Sequence, residues 1–589
     1  MYRAPLRELR FVLEELLQAS RLAQYPHLAD YSSDVADSIL DEAGRFAETV
    51  LDPLNRSGDE TGARWTPEGV VAAPGFRDAY QQFAAGGWTQ LGTDPEYGGQ
   101  LVPQALVTAV QEIWGSANLA FKLCPMLSHG AVHALELSGT VAQKKTYLPK
   151  MISGEWTGTM VLTEPQAGSD LAQIRTRAVP EGDRYRLFGQ KIFITWGDHD
   201  CTSNIIHMVL GRIEGAPAGV RGISLFIVPK VLVNSDGSLG TRNDVRCVSI
   251  EHKLGIHASP TCVLAFGEKD GAVAHLVGEP NRGLEYMFIM MNAARLSVGL
   301  EGYAVGERAY QRAAEYARTR IQGKPPVAQG EGPQPIIHHP DIKRMLLTMK
   351  STTEAARAVS MYAAYQLDIA KHHPDEKQRA SAQARGDLLI PIVKGWCTET
   401  GNLVAALGVQ VHGGMGFIEE TGAAQYVRDV RITTIYEGTT GIQSNDLIGR
   451  KLGRDGGAAM NALLADITSD LEGLEATDPI TRKAALEGVG LLKESTESLL
   501  KAWSSRQDAA MAVSVPYLML CGYVIGGWLL AKSSAIAAKK MQGADKAFYE
   551  SKVHTARFYA GQVLPNALAL ARVVQSGAVS VITTDAALI

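Results

Sequence analysis

The strongest chemical candidate in the sequence is one carboxylate, Glu437, which lies in Ile435-Tyr-Glu-Gly-Thr-Thr440 between an aromatic residue and a glycine. A carboxylate in apolar surroundings has a raised pKa, and it becomes a stronger base when a bound substrate excludes water. The segment therefore predicts a general base. At this point a surface glutamate in an ordinary turn is the alternative.

Two further segments combine small, polar and aromatic residues in ways that suit a planar or phosphorylated ligand. In Leu162–Asp170, small residues let a ligand approach the backbone closely, and amides and hydroxyls can bind a polar ring edge or a phosphate. In Gly189–Gly197, Phe193 and Thr195 would lie on one face of a strand, where the aromatic ring can stack on a planar ligand. An ordinary turn and half-buried strand packing remain the alternatives.

The elements that must position these residues follow a helical, β, helical order along the chain. Apolar residues recur at helical spacing in Ser33–Val50, Pro103–Trp114 and Val141–Ile152, and again from Gly283 onward. From about Gly158, five segments rich in β-branched and aromatic residues are separated by glycine, proline or aspartate, which predicts a β domain of about 120 residues.

We therefore predict a mainly α-helical protein with a central β domain. The predicted domains are an N-terminal helical extension (1–34), a helical domain (35–157), the β domain (158–280), a helical bundle that carries Glu437 (281–454) and an additional C-terminal helical domain (455–589). This order differs from the βαβ alternation of a Rossmann fold. Gly414-Met-Gly416 lacks the third glycine of a dinucleotide-binding fingerprint and does not indicate one.

Composition excludes several classes of protein. The 589 residues are 46% hydrophobic and 20% charged, as in ordinary globular proteins, and the net charge of -5 gives no basic surface for nucleic acid. The six cysteines have no metal-ligand spacing, so we expect no metal site.

The N-terminus lacks the continuous apolar run of a signal peptide. The apolar stretch 516–531 contains three glycines and is shorter than the roughly 20 residues that span a bilayer, which favours a buried helix over a transmembrane segment.

In their order along the chain, the chemical motifs resemble those of the acyl-CoA dehydrogenase family. The resemblance covers roughly residues 35–450 and rests on TEPQAGSD, GQKIFIT, EHKLGIHASPT, QVHGGMGF and IYEGT. It implies a helical N-domain, a β middle domain and a four-helix-bundle C-domain. The N-terminal extension and the extra C-terminal domain are similar to those of the large bacterial branch, which includes fatty acyl-CoA dehydrogenases of β-oxidation and 3-methylmercaptopropionyl-CoA dehydrogenases.

The resemblance implies oxidation of an acyl-CoA to the trans-2-enoyl-CoA, with FAD as cofactor. Glu437 matches the position of the base that removes the α-proton, while FAD accepts the β-hydride. The thioester carbonyl would be held by the backbone N–H of the base and by a ribityl hydroxyl of FAD, because the α-proton is too weak an acid otherwise. Some members carry the base immediately before a helical arginine that matches Arg295, but this chain has Ala294 there. The resemblance therefore assigns the base to Glu437.

Further site residues follow from the same match. The positions that match flavin contacts are Met160, Leu162, Thr163, Gly168, Ser169, Phe193, Thr195, Arg320, Gln410, Gly414 and Thr439. The positions that match substrate contacts are Ser169, Asn292, Arg295, Tyr436 and Gly438, with Asn292 and Arg295 at the adenine end of CoA. Arg320 would reach the FAD of a neighbouring subunit, although its segment is one residue shorter than the common family pattern.

The resemblance also implies electron-transfer flavoprotein as the partner. We expect a homodimer, because the extra C-terminal domain would occupy surface that smaller members use to form tetramers. The cysteines are typical of a reducing compartment, so we expect a cytoplasmic location. An acyl-CoA oxidase that uses O2 and a non-catalytic acyl-CoA-binding protein are the alternative functions. The acyl group stays open, with medium or long fatty acyl-CoA and 3-methylmercaptopropionyl-CoA as the leading candidates.

Overall fold

The chain folds into two compact units. A computed structural model describes residues 2–327, 330, 332–474 and 478–589. The helical unit comprises Met1–Gly44, Pro103–Ser116 and Arg295–Ile589, and the sheet unit comprises Arg45–Val102 and Ala117–Ala294. The predicted fold class is confirmed, because a β region lies between helical segments in the sequence and further helices follow. The predicted domain boundaries stay a prediction.

The α-helices occupy most of the chain. They are α1 (Leu6–Arg10), α2 (Ser33–Phe46), α3 (Asp52–Thr61), α4 (Phe76–Ala85), α5 (Gln104–Ala117), α6 (Leu119–Ser138), α7 (Val141–Ile152), α8 (Gly283–Thr319), α9 (Pro340–His372), α10 (Glu376–His412), α11 (Ala423–Val430), α12 (Thr440–Asp446), α13 (Gly453–Asp455), α14 (Ala458–Gly473), α15 (Pro479–Ser505), α16 (Gln507–Ala512), α17 (Ser514–Lys539), α18 (Lys546–Phe558), α19 (Asn566–Ser576) and α20 (Ala578–Ile582). The predicted helices at Val141–Ile152 and from Gly283 onward are confirmed.

The strands belong to the sheet unit. They are β1 (Arg64–Thr66), β2 (Gly69–Val71), β3 (Trp156–Val161), β4 (Arg177–Glu181), β5 (Arg184–Thr195), β6 (Asn204–Ile213), β7 (Ile223–Pro229), β8 (Val231–Val233), β9 (Leu239–Arg242), β10 (Val245–Ile250), β11 (Thr261–Phe266) and β12 (Ala272–Val277). The main sheet has the order β10-β11-β5-β12-β7-β6-β3, with β4 paired to β5 and β6. The five segments predicted as strands correspond to β3, β5, β6, β7 and β11.

The core of the sheet unit explains why these segments form strands. Val161, Leu187, Val209, Phe226 and Ala274 come from five different strands and form one buried apolar cluster. Burial of a large apolar side chain contributes roughly 1.5–3 kcal/mol, so this cluster holds the strands together. All six residues of β3 and all seven of β7 are buried. β7 is almost entirely apolar, whereas β3 buries two threonines whose hydroxyls contact histidines.

The longest apolar segment of the sequence is the helix α17 of the helical unit. Its 26 residues are long and apolar enough to cross a membrane, but 78% of its most apolar window is buried inside the protein. A Cβ added at Gly522 would lie 2.0 Å from Cγ of Trp396 on α10, and one at Gly395 would lie 2.7 Å from Cδ2 of Leu518. These glycines let α10 and α17 pack closely, as expected of a core helix.

A buried charge cluster joins the two ends of the chain to α9. Lys552 on α18 is 3% exposed, and its Nζ lies 2.7 Å from Glu354 on α9 and 2.8 Å from Glu8 on α1. Lys350 also contacts Glu354, one turn earlier on α9. An unpaired buried charge is costly, so Glu8 from the N-terminal extension and Lys552 from the C-terminal helices are both needed to pair the charges beside α9.

Two histidines lie buried beside β3 in the sheet unit. His207 on β6 is the register partner of Thr159 on β3, and its Nδ1 lies 2.7 Å from the Thr159 hydroxyl. His199 contacts the Thr157 hydroxyl through Nε2 at 3.0 Å. Burial, with a smaller effect of the charge on Lys230, lowers the pKa of each histidine to about 3. Both histidines are therefore neutral in the folded protein.

We expect His207 to make the sheet unit sensitive to acid. Its pKa is lowered on folding, so its neutral form stabilises the fold above the unfolded pKa of about 6.5, and this contribution is lost as the pH falls below that value. Relative to the non-titrating variant His207→Asn, the wild-type free energy of unfolding should fall by about 1 kcal/mol between pH 7 and pH 5.5. Chemical denaturation of both proteins at each pH measures this difference, in which the other titrating groups cancel. A difference that is constant with pH would contradict the assignment.

Candidate active site

Glu437 lies on the connection between α11 and α12 of the helical unit, in an unusual backbone conformation. Its φ is 56°, in the left-handed region that few residues other than glycine adopt, and Gly438 follows with a φ of 91°. Gln443 on α12 donates from Nε2 to the Glu437 carbonyl at 3.2 Å. The φ of Gly438 favours glycine, and an added Cβ there would lie 2.7 Å from that same nitrogen. This backbone strain at a single carboxylate marks a candidate functional residue.

The surroundings of Glu437 favour a base that titrates near neutrality. Burial raises the pKa of Glu437 to about 7; the positive charges of Arg295 and Lys394 oppose the increase, and the carboxylate of Glu301 adds to it. The best catalytic pKa for a general base lies near the working pH. The raised pKa expected for Glu437 is therefore present, although charged residues also surround it, and its role as the base stays a prediction.

Two charged residues of this cluster escaped the sequence analysis. Lys394 on α10 is completely buried, and its Nζ donates to the Gly438 carbonyl at 2.6 Å. Glu301 on α8 is also completely buried and accepts a hydrogen bond from the hydroxyl of Tyr436. Each interrupts an otherwise apolar stretch of a long helix, which is the signal that could have revealed it.

Arg295 lies beside the base rather than on the surface. Its side chain is 4% exposed, and Nη1 forms a 3.0 Å ion pair with Asp446 at the end of α12. The Nε atom is buried and has no hydrogen-bond partner in the part of the chain that the structure describes. Asn292, three residues earlier on α8, is half-buried. Their contact with the adenine end of CoA stays a prediction.

In the sheet unit, a buried ion pair ties together the two segments predicted to contact the flavin. Lys191 on β5 is completely buried, and its Nζ lies 2.9 Å from Glu164 and 2.8 Å from the Leu162 carbonyl. The Glu164 carboxylate also accepts from the hydroxyl and backbone N–H of Thr176 and from the Arg175 N–H. Although burial opposes ionisation, the Lys191 charge and these hydrogen bonds lower the pKa of Glu164 to about 2.

Phe193 is presented to solvent by a bulge in β5. Cys262 pairs with Ile194 and Leu264 with Lys191, so that two residues of β5 face one residue of β11. Phe193 takes a φ of 58° within this bulge, and its side chain is 58% exposed. Such a bulge re-aims a side chain. Ile194 is buried and Thr195 is partly exposed, as expected if Phe193 and Thr195 share the outer face.

The other predicted flavin contacts divide between the two units. In the sheet unit, Met160 is buried, Leu162 and Thr163 are half-buried, and Gly168 and Ser169 are exposed. In the helical unit, the exposed residues are Arg320, Gln410, Gly414 and Thr439, and the Thr439 hydroxyl caps the start of α12. An added Cβ at Gly168 or at Gly414 would meet no atom within 4 Å, so both glycines border open space.

Four family models match consecutive parts of the chain. They are the acyl-CoA dehydrogenase N-terminal domain (33–155), middle domain (159–268) and C-terminal domain (281–452), and the acetyl-CoA dehydrogenase C-terminal-like domain (463–585).

Full-length relatives and solved structures agree with these matches. The chain is 47% identical to a 3-methylmercaptopropionyl-CoA dehydrogenase of Ruegeria pomeroyi, with 96% of each chain covered. It is 35% identical to a broad-specificity linear acyl-CoA dehydrogenase of Mycobacterium tuberculosis, again with 96% of each covered. The fold is similar to that of Caenorhabditis elegans ACDH-11 in complex with C11-CoA, with a TM-score of 0.76, 21% identity and coverage of 96% of this chain and 92% of that one. For an FAD complex of a Bacillus anthracis acyl-CoA dehydrogenase, the TM-score is 0.74, the identity 21% and the coverage 96% and 91%.

We expect the Lys191–Glu164 pair to be essential for the sheet unit. Lys191→Met leaves the Glu164 carboxylate buried without its cation, which should lower the free energy of unfolding by about 3–5 kcal/mol. Chemical denaturation of the cofactor-free protein measures this loss. Combining Lys191→Met with Glu164→Gln should recover much of it, because the remaining amide is neutral and still accepts hydrogen bonds. As a matched control, Arg246→Met removes the cation of an exposed pair with Glu268 and should change stability little. Equal effects of the two single variants would contradict the prediction.

Proposed function

Because the chain belongs to the acyl-CoA dehydrogenase family, we propose that it oxidises an acyl-CoA thioester to the trans-2-enoyl-CoA with FAD as cofactor. The single observation that carries the proposal is Glu437, a strained and partly buried carboxylate with a pKa of about 7. This carboxylate removes the proton from Cα of the acyl group. Its pKa suits that role at neutral pH, where a large share of the base is ionised before substrate excludes water.

The residues around Glu437 support the orientation of the thioester. By resemblance to the family, the backbone N–H of Glu437 donates to the thioester carbonyl and stabilises the negative charge that develops there. The hydrogen bond from Gln443 to the Glu437 carbonyl holds this backbone in its left-handed conformation. Tyr436, whose hydroxyl is bonded to Glu301, lines the substrate pocket beside the base, and Gly438 gives the acyl group close access.

The exposed face of β5 fits a planar cofactor. The outward ring of Phe193 offers a stacking surface, Thr195 beside it offers a hydroxyl, and Gly168 leaves room for a close approach. When bound, FAD supplies the acceptor for the hydride that leaves Cβ. The Lys191–Glu164 pair keeps the segment from Leu162 to Ser169 in place against β5. Arg320, Gln410, Gly414 and Thr439 are exposed. By the family match, Gln410, Gly414 and Thr439 would hold the diphosphate and adenosine of FAD, and Arg320 would reach the FAD of a neighbouring subunit.

We place 3-methylmercaptopropionyl-CoA first among the possible substrates, because the relative with that name is 47% identical over 96% of both chains. Medium and long fatty acyl-CoA remain candidates, and with them a role in β-oxidation, since a relative at 35% identity is named for broad specificity. Electron-transfer flavoprotein accepts the electrons. We propose a cytoplasmic homodimer, which is supported by the exposed apolar side chains of Met415, Phe417 and Ile418.

The function is tested by Glu437→Gln. The amide cannot take a proton, so kcat should fall by about 10⁴-fold while FAD and acyl-CoA still bind. Bleaching of the flavin absorbance measures the reaction, with a panel that runs from 3-methylmercaptopropionyl-CoA to medium and long acyl-CoA. Glu419→Gln is the control, because Glu419 is an exposed acid that pairs with Arg428 outside the cluster. Near-normal turnover by Glu437→Gln would refute the role of the base, and a colourless protein that cannot be reconstituted with FAD would refute the enzyme.

The electron acceptor is tested by reducing the protein anaerobically with substrate and then admitting air. We expect slow reoxidation by O2 and fast reoxidation by added electron-transfer flavoprotein, since the proposed enzyme is a dehydrogenase. Absorbance of the oxidised flavin follows both rates. Rapid reoxidation in air without a protein acceptor would identify an acyl-CoA oxidase instead.

A further inference from the structure

The backbone of the base is held by two side chains from different helices. Lys394 on α10 donates from Nζ to the Gly438 carbonyl at 2.6 Å, and Gln443 on α12 donates to the same oxygen at 3.3 Å. Glu437 and Gly438 both have a positive φ, so the backbone of these two residues needs hydrogen bonds from other elements to keep its conformation. Lys394 is completely buried on a helix that otherwise presents apolar side chains at this level, including Ile392 and Trp396.

Charges reach Glu437 from more than one element. Arg295 and Glu301 face it from α8, and Lys394 faces it from α10. Arg295 is already paired with Asp446, which also contacts Arg450.

The charge on Lys394 is not neutralised in the same way. Across the described ranges 2–327, 330, 332–474 and 478–589, no carboxylate forms a salt bridge with Lys394. Glu399, the other acid that acts on this lysine, accepts a hydrogen bond from the Thr440 hydroxyl. Burial lowers the pKa of Lys394 to about 8, and the charges of Glu437 and Glu301 oppose that decrease, so below this pH its positive charge acts on both carboxylates.

We propose that Lys394 and Glu301 are positioning residues that hold the chain on either side of Glu437, through the Gly438 carbonyl and the Tyr436 hydroxyl, and that place opposite charges near its carboxylate. This inference rests on the proposed function, because it concerns the residue that removes the α-proton. Lys394 fixes the peptide after Glu437 and stabilises its carboxylate, whereas Glu301 fixes Tyr436 and destabilises that carboxylate.

A buried base must be ionised before the reaction and must still bind a proton strongly. Charges of opposite sign near the carboxylate satisfy both requirements. A cation alone would keep Glu437 ionised but would make it a weaker base, because the attraction is lost when the proton arrives. A second carboxylate alone would leave Glu437 protonated at neutral pH. With both present, Glu437 is ionised in a useful fraction of molecules and still gains from taking a proton.

The first test is the pH dependence of kcat/KM. Lys394→Met should move the acid limb to higher pH by about one unit, and Glu301→Gln should move it to lower pH by a similar amount. The combined variant should return close to wild type. Lys493→Met, which removes an exposed lysine on α15, is the control for net charge and should leave the limb unchanged. Lower activity with an unmoved acid limb in both single variants would show merely structural roles and overturn the proposal.

The second test needs no turnover. A carboxyl whose pKa is raised in the fold lowers stability as the pH rises from its unfolded value to its folded value. For wild type, Lys394→Met and Glu301→Gln, the thermal midpoint is compared with that of the same protein carrying Glu437→Gln, across pH 5 to 9. The loss caused by the carboxyl should continue to higher pH in Lys394→Met and end at lower pH in Glu301→Gln. Unchanged curves would refute the charge effect even if the enzyme turns over acyl-CoA, and shifted curves in a protein without that activity would refute only the proposed function.

Discussion

The helical unit keeps one carboxylate, Glu437, partly out of water and close to charges of both signs. Burial alone would protonate it, and two cations without a counter-charge would make it a poor base. The charges that act on Glu437 come from distant parts of the sequence: Arg295 and Glu301 lie on α8, and Lys394 lies on α10. The long helices matter because they are rigid enough to carry single charged side chains to one level of an apolar interior. The left-handed backbone of Glu437 is the local strain that the hydrogen bonds from Lys394 and Gln443 stabilise.

The sheet unit follows the same principle with a different purpose. Glu164 and Lys191 are buried as a fully hydrogen-bonded pair, and they join the two segments that the sequence analysis connected with the cofactor. Neither side chain needs to contact a ligand. Together they hold the small residues of Leu162–Asp170 against the bulge of β5. Phe193 is strained and exposed, which would bring no stability to an isolated sheet. These two properties support the proposed contact between Phe193 and the flavin.

The fold and the site differ in how much of each could be predicted from the sequence. Strand alternation and helical periodicity are local, so β3, β5, β6, β7, β11 and the start of α8 were predicted correctly. Family motifs led to Glu437 and to the outer face of β5. The charge partners were missed because they depend on long-range contacts: Arg295 and Asp446 are 151 residues apart, and Glu301 and Tyr436 are 135 apart. No local pattern indicates that Lys394 contacts the Gly438 carbonyl. The bulge at Phe193 depends on how β5 pairs with β11, which the sequence of β5 alone does not specify.

The charge cluster of Glu8, Glu354 and Lys552 couples α1 to α18 through α9. The amine of Lys552 lies between the two acids, at 2.8 Å from Glu8 and 2.7 Å from Glu354. Lys350 on α9 contacts Glu354 and lies 3.8 Å from Glu8. Without α1 the two lysines would share one acid, and without α18 the two acids would share one lysine. Deleting either segment thus leaves unbalanced charge beside the other, so the two can be trimmed or transplanted only together.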